Sequence, residues 1–250
     1  MDNKVNGFFY SGNMVGSEPD YGLAENFVRT AEAFANTTYQ SVYIIDYFRK
    51  NFLYVSPNPL FLCGLSAEEV KNMGYQFYID YVPDDEVEML LEINRARFSF
   101  INNIPTAEKK NYTISYDFHI INGRERILIN HKLTALACQP DGAVWLGLSV
   151  VSLSTHSEAG HVTMHCRYTA YYSIYNLSSH MWEKHSAPVL NETEKAILTL
   201  SIQGMTINAI AQHIHLAVDS VKTARRRLYD KLKVNNIAEA ISYAINYKLI

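Results

Sequence analysis

The chain has 250 residues, of which 48% are hydrophobic and 19% charged. This length and composition allow a hydrophobic core and predict two domains. The chain contains no apolar run of the roughly 18 residues that span a membrane, and its start lacks the basic, apolar and cleavage segments of a signal peptide. We therefore expect a cytoplasmic protein. The three cysteines, Cys63, Cys138 and Cys166, are far apart and odd in number. This argues against a disulfide framework and against a CxxC metal site, and we interpret them as small buried or half-buried residues.

Charge is unevenly distributed along the chain, whose formal net charge at pH 7 is −3. Residues 188–250 contain eight Lys or Arg against five Asp or Glu, a net of +3, and residues 1–187 contain 14 against 20, a net of −6. This asymmetry predicts a basic module joined to an acidic one.

The N-terminal region predicts a tail, a helix and a pair of strands. Residues 1–20 are rich in Gly, Ser and Asn, which is typical of a loose, flexible tail. Apolar residues at helical spacing predict an amphipathic helix from Tyr21 to about Tyr39. Its predicted apolar face consists of Leu23, Phe27, Ala31 and Phe34. Residues 41–46 and 52–56 are short aromatic and β-branched runs around a turn, which predicts paired strands.

Two helices are predicted next, one starting with a capping box at Ser66 and ending at Gly74, the other opening at Pro83. The adjacent Asp84 and Asp85 could hold Mg²⁺ in a phosphoacceptor site. Such a site, however, needs alternating strands and helices, another aspartate at a strand end and a distant lysine, which the strand-only stretch that follows does not supply. We interpret the two carboxylates as favourable charges at the positive end of a helix.

Three antiparallel strands complete this region. Residues 112–120 alternate strictly between apolar and polar, which predicts one buried and one wet face. The predicted wet positions are Thr113, Ser115, Asp117 and His119. Turn residues at 122–123 and at 140–142 predict hairpins into the strands that follow.

The order of two strands, a group of helices and three strands predicts an α+β domain with one antiparallel sheet. Several local matches occur in this order: YVSPN at 54–58, GLSAEEV at 64–70, YVPDDEVE at 81–88, NGRERILI at 122–129 and DGAVWLGLSVVS at 141–152. Over roughly residues 39–155 the chain resembles a PAS sensor domain, and we assign residues 21–155 to it. The resemblance implies that the domain encloses a small molecule or cofactor, or dimerises, and controls an output domain.

Residues 156–187 are predicted to form a connector with one or two added strands. His161, His165 and Cys166 have metal-binding side chains, but in a strand positions 161 and 165 lie about 13 Å apart, too far for one zinc ion without a bend. We interpret them as cross-strand polar positions and predict no metal ligands. No cofactor is predicted, because Cys63 is not in a context resembling flavin-adduct sensors and no CxxCH haem motif occurs. A noncovalent haem or flavin stays an open alternative.

The chain contains no recognisable catalytic motif. The sequence contains no GxSxG, HExxH, GxxxxGK[ST] or strand-following GxGxxG pattern. We therefore predict that the protein is not an enzyme and assign no catalytic residues.

Residues 188–250 predict an all-α domain of four helices. Their predicted starts are Asn191, Thr206, about Asp219 and about Asn236. In the third helix the predicted buried stripe consists of Val221, Leu228 and Leu232. Lys222, Thr223 and Arg226 lie on a different face. A short turn followed by a helix with separate core and basic faces indicates a helix-turn-helix.

This region resembles the LuxR-type (GerE-like) DNA-binding domain over nearly its full length. The matching residues are Leu190, Glu194, Leu198, Gly204, Ile210, Ala211, Val221, Lys222, Arg225, Lys231, Leu232, Val234 and Ala240. Three positions depart from the usual pattern: Ala217 replaces a serine, Ala224 a histidine and Ile237 an arginine. These departures affect affinity and target rather than the fold.

The resemblance implies that Lys222, Thr223 and Arg226 enter the major groove of DNA. Arg226 is suited to a bidentate contact with guanine, and Thr223 to a thymine methyl group. The full predicted DNA-binding set is Val218, Ser220, Lys222, Thr223, Arg225, Arg226 and Arg227. The alternative is that the basic run is only a solvated helix face.

The fourth helix carries more apolar surface than its own domain needs. We predict that it pairs with a second copy through Ile237, Ile241, Ala244 and Ile245. The complete prediction is a bacterial, homodimeric, sequence-specific transcription regulator in which a PAS-like domain senses a small molecule or partner and controls a helix-turn-helix. The main alternative interpretation is a protein–protein adaptor whose helix-turn-helix does not bind DNA. A weaker alternative is a metal- or haem-dependent sensor enzyme.

Overall fold

The computed structural model describes residues 3–9, 15–247 and 249–250. The chain forms two compact units, residues 1–185 and 186–250. The sequence places the start of the C-terminal domain slightly later than this division, at residue 188.

Helices and strands alternate in groups along the chain. The helices before the C-terminal unit are α1 (Asn3–Gly7), α2 (Tyr21–Ala35), α3 (Ala67–Met73), α4 (Gln76–Tyr81) and α5 (Asp84–Asn102). The strands are β1 (Ser41–Asp46), β2 (Asn51–Val55), β3 (Tyr112–Asn122), β4 (Glu125–Cys138), β5 (Val144–Leu153), β6 (Gly160–Cys166), β7 (Tyr171–Asn176) and β8 (Met181–Ser186). The helices of the C-terminal unit are α6 (Glu192–Ile202), α7 (Ile207–His213), α8 (Val218–Leu232) and α9 (Ile237–Asn246).

The strands form one sheet in the order β2-β1-β5-β4-β3-β6-β7-β8. Neighbouring strands from β2 to β7 run antiparallel. The first five strands, with three α-helices between β2 and β3, make a PAS-like α+β domain, and an all-α unit follows it. The predicted fold class is therefore confirmed.

Strand β1 is buried on both faces of the sheet. Tyr43 and Ile45 point into an aromatic core that α3, α4 and α5 cover, whereas Val42 and Ile44 pack beneath α2. Successive strand residues point to opposite faces, so a strand covered on both sides is apolar throughout rather than alternating.

Part of the predicted loose tail is ordered. Residues 3–7 form α1, and Val5 and Phe8 are buried in the main core. The Phe8 ring centroid lies 5.3 Å from that of Tyr75 and 5.4 Å from that of Tyr78. The prediction is wrong here because apolar side chains within a Gly- and Asn-rich segment dock onto the aromatic core. The rest of this prediction partly falls on residues 1–2 and 10–14, which lie outside the described residues.

The connector contains three strands, not the predicted one or two. Strand β6 pairs with the free edge of β3, and β7 pairs with β6. The extension also contacts α5: the hydroxyl of Tyr175 donates to Glu92 at 3.1 Å, and the Trp182 ring lies 5.1 Å from that of Phe100. These aromatic side chains cover a part of α5 that the first five strands leave exposed, which stabilises the extra strands.

Two carboxylate predictions have different outcomes. Asp84 and Asp85 lie in the first turn of α5, as the helix-start interpretation expects. Asp117 was predicted on a wet strand face but is completely buried. His156, from the segment after β5, and Asn130 on β4 both contact its carboxylate and shield it from water.

Candidate functional sites

Helices α6 and α7 begin at capped residues. Asn191 Oδ1 accepts a hydrogen bond from the backbone N–H of Glu194 at 2.8 Å, and a Glu194 carboxylate oxygen accepts one from the N–H of Asn191 at 2.8 Å. Thr206 Oγ1 accepts from the N–H of Ala209 at 3.3 Å. The predicted capping box at Asn191 is confirmed, and these bonds satisfy backbone donors that the helices leave unpaired.

A buried apolar stripe holds α8 in place. Val221 and Leu228 are completely buried and Leu232 is nearly so, because spacings of seven and four residues place all three on one face. The rest of this small core consists of Leu190, Ile197, Leu198, Leu200, Ile210, Ala211, Ala240 and Ala244. The opposite face of α8 is therefore directed to solvent.

A short turn joins α7 to α8. His215 takes a left-handed backbone conformation with φ 54°, and Ala217 occupies the N-cap position of α8 without a side-chain hydrogen bond. The N-terminus of a helix attracts anions such as phosphate. Since Ala217 has no side-chain oxygen, it offers neither a cap nor a phosphate contact there.

The residues predicted to read DNA lie together. Lys222, Thr223 and Arg226 are exposed, and their spacings of three and four residues place them on one side of α8. Ser220 and Arg227 are exposed as well. A helix with its core stripe on one face and an accessible basic stripe on another has the form that enters a DNA groove.

Two basic residues of α8 have partners within the helix. Lys222 Nζ lies 3.1 Å from Asp219 Oδ1 in an exposed pair, and such pairs contribute little stability because water screens them. Arg225 donates from Nε to the Tyr229 hydroxyl at 2.5 Å, and its guanidinium lies 5.5 Å from the centre of that ring. Tyr229 thus orients Arg225. Val218 is half-buried and packs on the domain core.

An ion pair that the sequence did not predict joins the partly exposed Lys231 of α8 to a buried carboxylate of α6. Lys231 Nζ lies 2.6 Å from both carboxylate oxygens of Glu194, and Glu194 is only 4% exposed. The same carboxylate completes the capping box with Asn191. The pair therefore fixes the C-terminal end of α8 to the capped start of α6.

We expect Lys231→Met to destabilise the C-terminal unit by about 1 to 3 kcal/mol, because it leaves a buried carboxylate without its charged partner. Urea unfolding of the full chain, followed by helical circular dichroism, measures the loss. Lys195→Met is the matched control, since Lys195 pairs with the exposed Glu192 at 2.9 Å and should cost less than about 0.5 kcal/mol. Equal costs for the two variants would contradict a stabilising role of the Glu194–Lys231 pair.

The predicted dimer contacts on α9 differ in their exposure. Ile245 is 56% exposed, and Ile237 and Ile241 are half-buried against the domain core. Ala244 is completely buried in that core. The prediction for Ala244 is therefore wrong, because its side chain is already covered by its own domain and has no surface to offer a second copy.

The PAS-like domain contains a buried polar cluster. The Tyr43 hydroxyl lies 2.5 Å from His131 Nε2 and also hydrogen-bonds the Tyr78 hydroxyl. All three residues are buried and come from β1, β4 and α4. The sequence did not predict this cluster; its one signal there is a histidine within the apolar run of a predicted strand.

His131 leaves one polar atom unsatisfied. Burial lowers its pKa to about 3, and the positive charge of Arg97 adds to the lowering, so the imidazole is neutral near pH 7. A neutral imidazole has one N–H donor and one acceptor nitrogen. Within the described residues Nδ1 is buried without a hydrogen-bond partner. Buried polar atoms are normally paired, so Nδ1 indicates a position for a further polar partner.

Arg97 brings a positive charge into the same core. It is 3% exposed, its Nη1 donates to the Tyr47 hydroxyl at 2.8 Å, and its guanidinium lies 4.5 Å from the centre of the Phe98 ring. In the part of the chain that the structure describes, no carboxylate pairs with it. A guanidinium has five N–H donors, and one of them bonds the Tyr47 hydroxyl.

Comparison with known proteins places the C-terminal unit in a family. Residues 188–244 match the family described as bacterial regulatory proteins, luxR family (GerE). Over 64 residues the chain is 39% identical to the probable transcriptional regulatory protein NarL of Mycobacterium tuberculosis (strain CDC 1551 / Oshkosh), a match that covers 26% of this chain and 30% of that protein. The chain therefore spans less than a third of this curated relative's length.

Two solved structures match the chain at low similarity. The crystal structure of the phage VqmA–DPO complex has 16% sequence identity and a TM-score of 0.35, covering 90% of this chain and 92% of that chain. The N-terminal domain of a diguanylate cyclase with a PAS/PAC sensor from Marinobacter aquaeolei has 11% identity and a TM-score of 0.34, covering 46% of this chain and 94% of that chain. Both are too distant to support an inference about individual residues.

These observations define a C-terminal domain of the helix-turn-helix class. Residues 188–244 are a LuxR-type (GerE-like) domain, which confirms the resemblance seen in the sequence, and the domain follows a PAS-like α+β domain. Among the described residues no helix is long and apolar enough to cross a membrane.

Proposed function

We propose that this protein is a sequence-specific DNA-binding transcription regulator that acts in the cytoplasm and has no enzymatic activity. One observation carries the proposal: α8 buries Val221 and Leu228 while it exposes Lys222, Thr223 and Arg226 on another side. A helix whose outer face only contacts water needs charged residues on that face, but it does not need basic residues at particular positions. The LuxR-type family of this domain supports DNA as the ligand of that face.

The exposed residues divide into two roles. Lys222, Thr223 and Arg226 reach base edges in the major groove, with Arg226 suited to guanine and Thr223 to thymine. Arg225 and Arg227 contact phosphates, which position the helix without reading sequence. Ser220 and the exposed part of Val218 lie at the helix start, where they contact the edge of the groove.

The PAS-like domain senses a small molecule within its core. Arg97 is a buried positive charge, and the Nδ1 atom of His131 is buried without a hydrogen-bond partner among the described residues. A compact ligand with an anionic or acceptor group would complete the bonding of Arg97, and a polar ring or carbonyl would pair with His131. Neutral tyrosines support this role, because burial raises the pKa of both Tyr43 and Tyr78 and keeps their hydroxyls as donors.

Two copies bind DNA together. Ile245 and the exposed parts of Ile237 and Ile241 provide an apolar strip on α9 for a second copy. A dimer presents two recognition helices to half-sites about 10 base pairs apart. Ligand binding changes how readily the two helices reach that spacing.

The salt dependence of binding to duplex DNA tests the proposal. A helix that neutralises phosphates releases counterions, so the logarithm of affinity should fall linearly with the logarithm of salt concentration, with a slope of about −2 to −4 per chain. Fluorescence anisotropy of labelled genomic fragments between low and physiological salt measures this slope. The adaptor alternative predicts no binding, or binding without a salt slope, and either result would defeat the proposal.

A further inference from the structure

A cluster of three metal-binding side chains joins the PAS-like sheet to its extension. Asp117 lies on β3, His156 lies in the segment between β5 and β6, and His161 lies at the start of β6. Each offers one ligand atom, and these atoms all lie within 4.8 Å of one another. The family of the C-terminal domain does not account for this cluster, and neither does the polar core around His131.

The carboxylate of Asp117 is held in a fixed orientation. Its Oδ1 accepts a hydrogen bond from Asn130 Nδ2 at 2.8 Å, and Asn130 in turn bonds the Ser115 hydroxyl at 3.0 Å. Its Oδ2 accepts from His156 Nδ1 at 2.5 Å. A completely buried carboxylate needs compensating positive charge. Lys132 supplies part of it: burial lowers the pKa of its ammonium group, and the negative charge of Asp117 partly opposes that lowering.

The two imidazoles stack on each other at the surface. The ring centroids of His156 and His161 are 3.9 Å apart, and their planes differ by 9°. His161 has a left-handed backbone with φ 48°, and the register between β3 and β6 shifts between Ser115 and Asp117. This irregularity is the bend that a regular strand lacks, and it brings His161 to Asp117 although the chain separates them widely.

We propose that Asp117, His156 and His161 bind one divalent transition-metal ion, with Zn²⁺ as the preferred ion. Zinc bonds to histidine nitrogen and carboxylate oxygen at about 2.0 to 2.2 Å, so tetrahedral ligand atoms stand about 3.4 Å apart, within reach of the observed spacing. Two histidines and a carboxylate leave a fourth position open to water on the solvent side. Asn130 acts as the outer residue that orients the ligating carboxylate.

Binding requires one rearrangement of protons. In the structure Nδ1 of His156 carries the hydrogen that Asp117 Oδ2 accepts. The metal takes the place of that hydrogen on Nδ1, and the ring carries its proton on Nε2 instead, where the N–H donates a hydrogen bond to water. Oδ2 and Nδ1 then separate from 2.5 Å to about 3.4 Å as both become ligands. The bound ion ties the segment before β6 to β3.

Isothermal titration of the full-length protein, stripped with EDTA, with zinc chloride tests the site. The wild type should bind one ion per chain. His156→Gln and His161→Gln should each weaken the affinity by at least about tenfold, and Zn²⁺ should raise the melting temperature of the wild type but not of these variants. Both histidines are exposed, so the substitutions should leave the circular dichroism spectrum unchanged.

The control is His213→Gln, since His213 is exposed at the end of α7 and lies outside the cluster. It should bind Zn²⁺ like the wild type. The visible spectrum of the Co²⁺-loaded protein provides a second measurement, in which nitrogen and oxygen ligation gives bands that the His156→Gln variant lacks. Equal zinc affinity in the wild type and both cluster variants, or no saturable binding by the wild type, would overturn the proposal. DNA binding is a separate property, so its failure does not affect this result.

Discussion

Arg226→Ala should weaken binding to the cognate duplex by about 5- to 150-fold, because a bidentate arginine–guanine contact contributes about 1 to 3 kcal/mol of discrimination. It should also relax the preference at one base pair, since only that contact reads the base. Lys222→Ala should lower affinity more evenly across sequences and reduce the salt slope by about one unit if its ammonium group contacts a phosphate. Competition binding against duplexes with single base changes measures both effects.

Matched controls separate these effects from loss of charge alone. Lys195→Ala removes an exposed lysine of α6 that pairs with Glu192 three residues away, just as Lys222 pairs with Asp219. Arg29→Ala removes an exposed arginine of α2. Neither should change affinity more than about twofold, since a distant surface charge adds little at physiological salt. If Arg226→Ala binds with wild-type affinity and base preference, α8 does not read DNA in the proposed way.

Arg97→Met should leave the ligand-free protein as stable as the wild type or make it more stable. A buried charge without a carboxylate partner loses more in desolvation than it regains, and replacing buried ionic groups by apolar ones of similar size is often neutral or stabilising by about 1 to 4 kcal/mol. The prediction follows from the proposal that Arg97 is kept for a ligand rather than for folding. Urea unfolding followed by tyrosine fluorescence measures the free energy.

Tyr47→Phe provides the contrasting variant. The Tyr47 hydroxyl accepts the hydrogen bond from Arg97, so its removal leaves the buried guanidinium with one partner fewer and should cost about 1 to 3 kcal/mol. A structural arginine predicts a different order, in which Arg97→Met is the more damaging change. That order of stabilities would contradict a ligand-sensing role for Arg97.

The sequence pattern predicted correctly those helices and strands that pack one face against a single core. The stripe of Val221, Leu228 and Leu232 is buried as expected, because one face of a single helix meets one small core. The α2 helix exists as predicted, yet Leu23 is 56% and Phe34 44% exposed. Alanines of α2 lie against the sheet instead, since close packing of a helix on β1 favours small side chains.

Contacts between distant segments could not be predicted in the same way. Asp117 alternates with apolar neighbours, so its position indicates a wet face, but the segment carrying His156 covers it. The Glu194–Lys231 pair joins residues 37 positions apart, and His131 meets Tyr43 across 88 positions. Sequence spacing carries no information about such pairs until the strand order and helix packing are known.

The central claim is that α8 selects particular DNA sequences, and selection of bound fragments from a genomic library by the purified full-length protein tests it most directly. The wild type should enrich one motif of two half-sites whose centres lie about 10 base pairs apart, and the Lys222→Ala, Arg226→Ala double variant should enrich none. Recovery of fragments without a shared motif by the wild type, or of the same motif by the double variant, would contradict the account.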